Sequence, residues 1–181
     1  MVSRKKLFTS LLTVLISASI SFSVVFAYST YAQKVYQKKI YYKWGNFTHN
    51  YTTYFYAKYA WMTAVSDWPN ADSTVSCIYQ SSITSELRIT YVVSSSFYGE
   101  MQMTYNASNS ITEFYGELNC GNSKMSTPTI ARSVANHELG HLLGLDDIYT
   151  GTAVMNTSRI RENIYLPQTD DINGEKSAYG Y

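Results

Sequence analysis

Cysteine, histidine and net charge are all scarce in this chain, and each scarcity narrows what the protein can be. With 14 Lys and Arg against 13 Asp and Glu, there is no basic excess of the kind that marks a nucleic-acid-binding surface. Lys34, Lys38, Lys39 and Lys43 read as a solvated N-terminal segment. No tandem period runs through the sequence, and 181 residues leave no room for two full domains. The only cysteines are Cys77 and Cys120, so at most one disulfide is available. In an exported protein the oxidising surroundings favour joining them, and closing that loop would contribute on the order of 3–4 kcal/mol. Long apolar runs are absent apart from residues 7–26, which follow Arg4, Lys5 and Lys6 and precede small residues. That order predicts a secretory signal peptide over residues 1–32, cleaved after Ala27 or Ala32, with residues 33–181 as the mature domain and no stable membrane association once it is removed. The run is about long enough to span a bilayer, so a retained anchor is the competing expectation, weakened by the Ser and Thr scattered through it. Removing 32 residues takes away three basic groups and no acidic ones, leaving 11 against 13, a nearly neutral domain.

What is present suits a single packed domain: 45% of residues are hydrophobic, and Tyr, Ser and Thr dominate residues 28–120. "KIYYKWGNF" (39–47) reads as a strand. Residues 52–67 read as a helix whose apolar side is Phe55, Tyr59, Met62 and Val65, ended by Trp68-Pro69. Short β-rich runs follow at 73–79, 86–94, 100–106 and 111–119. A second helix has Thr127 as its cap and Pro128 at its first position, and should stop near Gly144. A last helix follows Pro167, with Thr169 as candidate cap and Asp170 and Asp171 in its first turn. Strand, helix, four strands and two helices predict an α+β fold.

The chemistry concentrates in "NHELGHLLGLDD" (136–147). A helix turns about 100° per residue, so His137 and His141 project from one face and can bind one ion, while Glu138 lies beside them, placed to take a proton from a metal-held water. Gly144 can adopt positive φ and end the helix sharply, swinging the chain back so that a carboxylate approaches from a direction the helix itself cannot supply. Asp147 suits that third position, and the adjacent Asp146 competes for it. Two imidazoles and one carboxylate are a known catalytic zinc set.

"HELGHLLGLDD" followed by "VMN" resembles the metzincin signature HExxHxxGxxH/D with its later methionine turn, and Asp147 stands where the third histidine is usual. The 14 residues from His141 to Met155 and the terminal "TDDINGEKSAYGY" are similar to the matrixin branch, and the aspartate is similar to that of the snapalysin-like secreted proteases. The resemblance implies a zincin fold with a twisted, mixed five-stranded sheet, an active-site helix and a C-terminal helix. It implies one catalytic Zn2+ held by His137, His141 and Asp147, with Glu138 as general base. Met155 would form a hydrophobic floor beneath the ion, and Asp170 or Asp171 would brace that turn or the mature N-terminus. It further implies a secreted, monomeric zinc endopeptidase acting on protein or peptide substrates laid along an edge strand, for which "EMQMTYN" (100–106) is the candidate.

Some family features are missing. No cysteine precedes Cys77, which excludes latency by a propeptide cysteine, and residues 73–145 contain no Asp and no His beyond the motif pair, so no structural calcium or second zinc is expected. Tyr149 or Tyr165 is left as the candidate for stabilising an oxyanion, since Thr157 replaces the tyrosine some metzincins carry after the methionine. The principal alternative is an exported zinc-binding module that recognises peptide or surface partners without catalysis. Retained Glu138 argues against it, because holding zinc needs no base there.

Overall fold

The computed structural model describes residues 28–181 except 46, 48–51 and 95. The apolar run of the expected signal peptide lies outside the described residues. Among the described residues no helix is long and apolar enough to cross a membrane. The elements are β1 (Lys39–Trp44), α1 (Thr52–Ala71), β2 (Ser76–Tyr79), β3 (Glu86–Thr90), β4 (Gly99–Tyr105), β5 (Ile111–Asn119), α2 (Pro128–Leu142) and α3 (Thr169–Tyr179), the expected α+β order. The sheet runs β2-β1-β3-β5-β4, all parallel except β4, which pairs antiparallel with β5 and forms one edge. This mixed five-stranded sheet is consistent with the matrixin and metzincin fold.

Alternation along the strands sends one face to the helices and the other to solvent. Leu87 and Leu118 are fully buried on the helix side. Gly116 lies there too, where a Cβ would come within 3.1 Å of Trp61 on α1, and a Cβ on Gly99 would stand equally close to Val134 on α2. The opposite face carries Arg88 paired with Glu117 and lying 4.9 Å over the Tyr115 ring.

Four sequence expectations need correction. The first concerns α1, whose Phe55, Tyr59 and Met62 are more than half exposed; the buried stripe is Tyr54, Ala57, Trp61, Ala64 and Trp68. Both stripes have helical spacing. The alanines let α1 approach its neighbours closely, and the indole N–H groups of Trp61 and Trp68 find the carbonyls of Arg88 and Asn136 at 2.9 and 3.0 Å, which is what burying tryptophan requires. The helix also runs through Pro69 to Ala71. Proline's fixed φ is helical, and so close to the end it costs one backbone bond, while Asp72 N–H still closes on Trp68 O at 2.9 Å.

Second, the cap of α3 is Gln168 rather than Thr169, and Gln168 N–H donates to Asp171 Oδ2 at 2.8 Å.

Third, Cys77 and Cys120 are free thiols. Cys77 pairs with Ile40 on edge strand β2, whereas Cys120 continues β5, its N–H bonded to Thr90 O. Strands β1 and β3 lie between them, so about three spacings of ~4.8 Å separate the two lines. A disulfide tolerates roughly 7 Å between Cα atoms. Burial pushes both thiols up, Cys77 to about 12.

Fourth, the N-terminal lysines are not all solvated: Lys38 is 4% exposed and staples its segment to the rest. Lys38 Nζ stands 2.8 Å from Glu175 of α3 and 3.5 Å from Asp72 just past α1.

Candidate metal centre

Helix α2 begins where Thr127 Oγ1 accepts from Ile130 N–H at 3.2 Å, and Pro128 occupies its first position. Its end is a Schellman turn: Gly144 at φ +83°, its N–H on His141 O at 3.1 Å and Leu145 N–H on Gly140 O at 3.2 Å. Past the turn, Ile148 pairs with the segment after Met155, its N–H donating to Met155 O at 3.1 Å and its carbonyl accepting from Thr157 N–H at 2.9 Å. Asp147 is therefore held between two fixed points and carried back over the helix.

The result is a tight cluster. One ligating atom from each of His137, His141 and Asp147 lies within 4.8 Å of the others, and among the described residues no other group of His, Cys, Asp and Glu converges in this way. Asp147 Oδ1 is 3.1 Å from His137 Nε2 and 3.9 Å from His141 Nε2. The far nitrogens are already committed, His137 Nδ1 to Val154 O at 3.0 Å and His141 Nδ1 to Leu145 O at 2.9 Å. A carbonyl can only accept, so both protons sit on Nδ1 and both Nε2 atoms present lone pairs. Asp147 Oδ1 is buried and finds no donor. Three acceptors facing one another with nothing to donate is unfavourable as it stands and is what a bound cation satisfies. The competitor, Asp146, is exposed and turns elsewhere, its Oδ1 accepting Asp147 N–H at 2.8 Å while its own N–H donates to Ser29 O.

Electrostatics follow from burial. Burial holds His137 down at about 4 and therefore neutral. Glu138, 5% exposed, is lifted by burial to about 8; Asp147 and Glu100 add to the rise, while Arg159 and Arg161 oppose it. A divalent cation beside Glu138 would favour its ionised form.

Met155, 2% exposed, packs directly on Gly140 of α2, between the two histidines in sequence, where a Cβ would meet the Met155 sulfur at 2.4 Å. Asp171, 1% exposed, fixes the turn by accepting from Val154 N–H at 2.7 Å and Met155 N–H at 3.1 Å. Of the two candidates for that bracing role, Asp171 fills it. Burial outweighs these donors and raises its carboxyl to about 6.

Of the two tyrosines considered for the oxyanion, Tyr149 is 74% exposed and the ring of Tyr165 lies over Arg132. Two neighbours of the site were not found from sequence. Tyr31 reaches over the end of α2, its hydroxyl donating to His141 O at 2.6 Å, and Tyr31 N–H bonds Gly144 O. It sits between the two candidate cleavage points, where nothing marks a residue as part of the fold. Arg159 is 6% exposed, its guanidinium satisfied by Ser133 Oγ, Ser133 O and Asn156 O, with Nη1 3.4 Å from His137 Nδ1. No sequence pattern distinguishes such a buried arginine from a surface one.

Strand β4 stands at the free edge of the sheet, as the candidate 100–106 strand required, with Glu100 near enough to Glu138 to perturb it. No curated protein matches the chain. The family model for Matrixin matches residues 55–180, a span that includes the whole cluster, the methionine turn and α3. The chain belongs to the matrixin family of zinc-dependent metalloproteases, whose substrates are proteins and peptides.

Proposed function

We propose that this protein is a secreted zinc endopeptidase in which His137, His141 and Asp147 hold one zinc ion and Glu138 is the general base. The observation that carries this reading is the donor-free meeting of Asp147 Oδ1 with two imidazole Nε2 atoms whose other nitrogens are occupied. When bound there, zinc would polarise the scissile carbonyl and acidify a water. Glu138 accepts the proton of the attacking water and returns it to the leaving amine. The carbonyls of Val154 and Leu145 fix each imidazole tautomer with its lone pair inward, and Gly144 with Ile148 fixes the reach of Asp147. A substrate lying extended along β4 adds a strand to the sheet edge, so that backbone hydrogen bonds supply affinity indifferent to sequence.

We also place export ahead of a retained anchor, with a monomeric mature form. The contacts of Ser29, Thr30 and Tyr31 with residues 144–146 favour cleavage after Ala27, since cleavage after Ala32 would discard them.

The test is casein hydrolysis by zinc-loaded protein with and without a chelator, alongside Glu138→Gln. Chelator-sensitive cleavage that the variant loses while retaining one zinc supports the enzyme. Stoichiometric zinc with no turnover in the unmutated protein refutes it and leaves the binding module.

A further inference from the structure

A cavity of about 490 Å³ has Tyr98, Lys124, Ile130 of α2, Arg159, Arg161 and Glu162 among its walls. Its chemistry is unbalanced, with three cationic side chains against one carboxylate. The Arg161 guanidinium lies 4.2 Å over the Tyr98 ring, a contact that restrains its planar fork. Its Nε is buried without a hydrogen-bond partner, and a guanidinium N–H left in that state is costly unless something occupies it. Among the described residues no carboxylate oxygen comes within 4.0 Å of Arg161 or Lys124, Glu162 included. Arg159 connects the cavity wall to the cluster, since it both lines the cavity and stands 3.4 Å from His137 Nδ1. Arg161 is within electrostatic reach of Glu138.

Glu138 protonates the leaving amine, so the residue contributing that amine lies next to Glu138, and its side chain points to whatever opens there. We infer that this cavity selects substrates with Asp or Glu immediately after the scissile bond, the carboxylate docking on Arg161 with Lys124 at the rim. The assignment rests on the peptidase reading. A carboxylate in the cavity gives the Arg161 guanidinium the acidic partner that no residue of the described chain supplies, in a fork geometry suited to two parallel N–H···O bonds. A long apolar side chain would leave Arg161 and Lys124 without one.

Two measurements test it. In the first, zinc-loaded protein digests a mixed peptide library and the new N-termini are read by mass spectrometry. Asp and Glu are expected to be enriched there, and the ratio of kcat/KM for a Glu peptide over its Gln twin is expected to fall about tenfold in Arg161→Gln. In the second, zinc-loaded Glu138→Gln binds fluorescent peptides beginning with Glu or Gln; the Glu peptide should bind about tenfold tighter, and Lys124→Gln should narrow the gap even if Arg161→Gln folds poorly. Enrichment of large apolar residues, or equal binding of the two peptides, overturns the inference whatever the turnover. Preferential binding of the Glu peptide with no cleavage by the unmutated protein would instead defeat the peptidase reading and leave the acidic preference standing.

Discussion

Replacing Gly140 by alanine sets two effects of opposite sign against each other. Gly140 lies inside α2, where alanine is intrinsically favoured by about 0.8–1.0 kcal/mol. On propensity alone the variant should be more stable. An added Cβ, however, would stand 2.4 Å from Met155 Sδ, 3.2 Å from Trp68 Cζ2 and 3.3 Å from Met155 Cε. The first distance is an overlap of more than an ångström with an atom in the middle of the Met155 side chain, and Trp68, fully buried and bonded to Asn136 O, blocks the easy escape. Overpacking of this kind costs roughly 1–3 kcal/mol. The clash should therefore exceed the propensity gain, and Gly140→Ala should be destabilised by about 1–2 kcal/mol, seen as a lower urea midpoint at unchanged slope.

The cause is separable by a double-mutant cycle. Met155→Ala alone should cost about 2–5 kcal/mol by opening a cavity. In that background the clash is gone, and Gly140→Ala should become neutral or stabilising by up to about 1 kcal/mol. The coupling between the two positions should thus be about 2 kcal/mol, well beyond the few tenths expected of independent sites. A Gly140→Ala protein as stable as the parent, or additive behaviour in the cycle, would refute the claim that the methionine turn is packed against this glycine.

Three further outcomes follow from the same geometry. Asp147→Ala should weaken zinc binding by more than about a hundredfold in calorimetric titration, since even outer-shell changes cost 10–100-fold, whereas Asp146→Asn should alter it little; the reverse ranking would make Asp146 the ligand. Both thiols should remain free in protein purified without reductant, giving the unalkylated mass plus two labels after denaturation, and dithiothreitol should leave the urea midpoint unchanged. Glu175 is lifted by burial to about 6, above its ordinary 4.5, while Asp72 is pulled to about 2 as Thr74 and Lys38 outweigh its burial. A raised carboxyl contributes stability that is complete below its unfolded pKa and lost as pH rises through the folded one. Glu175 should therefore cost about 2 kcal/mol between pH 4.5 and 7, with Asp171 adding in the same sense, and Asp72 should matter only in stronger acid. Glu175→Gln should flatten part of that decline, and an unaltered pH profile would dismiss the account.

The helix that carries the candidate metal site was legible because its information is local. Four residues bring two histidines to one face, a proline and a threonine mark the start, and a glycine marks the end, each acting within a turn or two of itself. The α1 face was not legible for a reason equally physical: Phe55, Tyr59 and Met62 share the helical period of Tyr54, Trp61 and Trp68, and only the neighbouring helix and sheet decide which stripe is buried. Size misleads here, because the side that packs closest is the one carrying Ala57, Ala60 and Ala64. The cysteine pairing failed through topology, since compartment chemistry says that two thiols should join but strand order says whether they can.

The choice between Asp146 and Asp147 shows where local reasoning ends. Both follow the same glycine, and either could be swung toward the helix by it. What separates them is the anchoring of Ile148 to the chain on either side of Asn156, and that chain is itself positioned by Asp171 from α3, about 16 residues further on. The third acidic vector is thus set from outside the motif: α3 fixes the methionine turn, the turn fixes Ile148, and Ile148 fixes Asp147 over the imidazoles. It follows that Asp171→Asn, which keeps one acceptor oxygen but points an N–H2 at backbone donors, should loosen zinc binding without touching a ligand. Calorimetry should show weaker affinity by about 10–100-fold, the range of an outer-shell change. Affinity equal to that of the parent would break the chain of support at its first link.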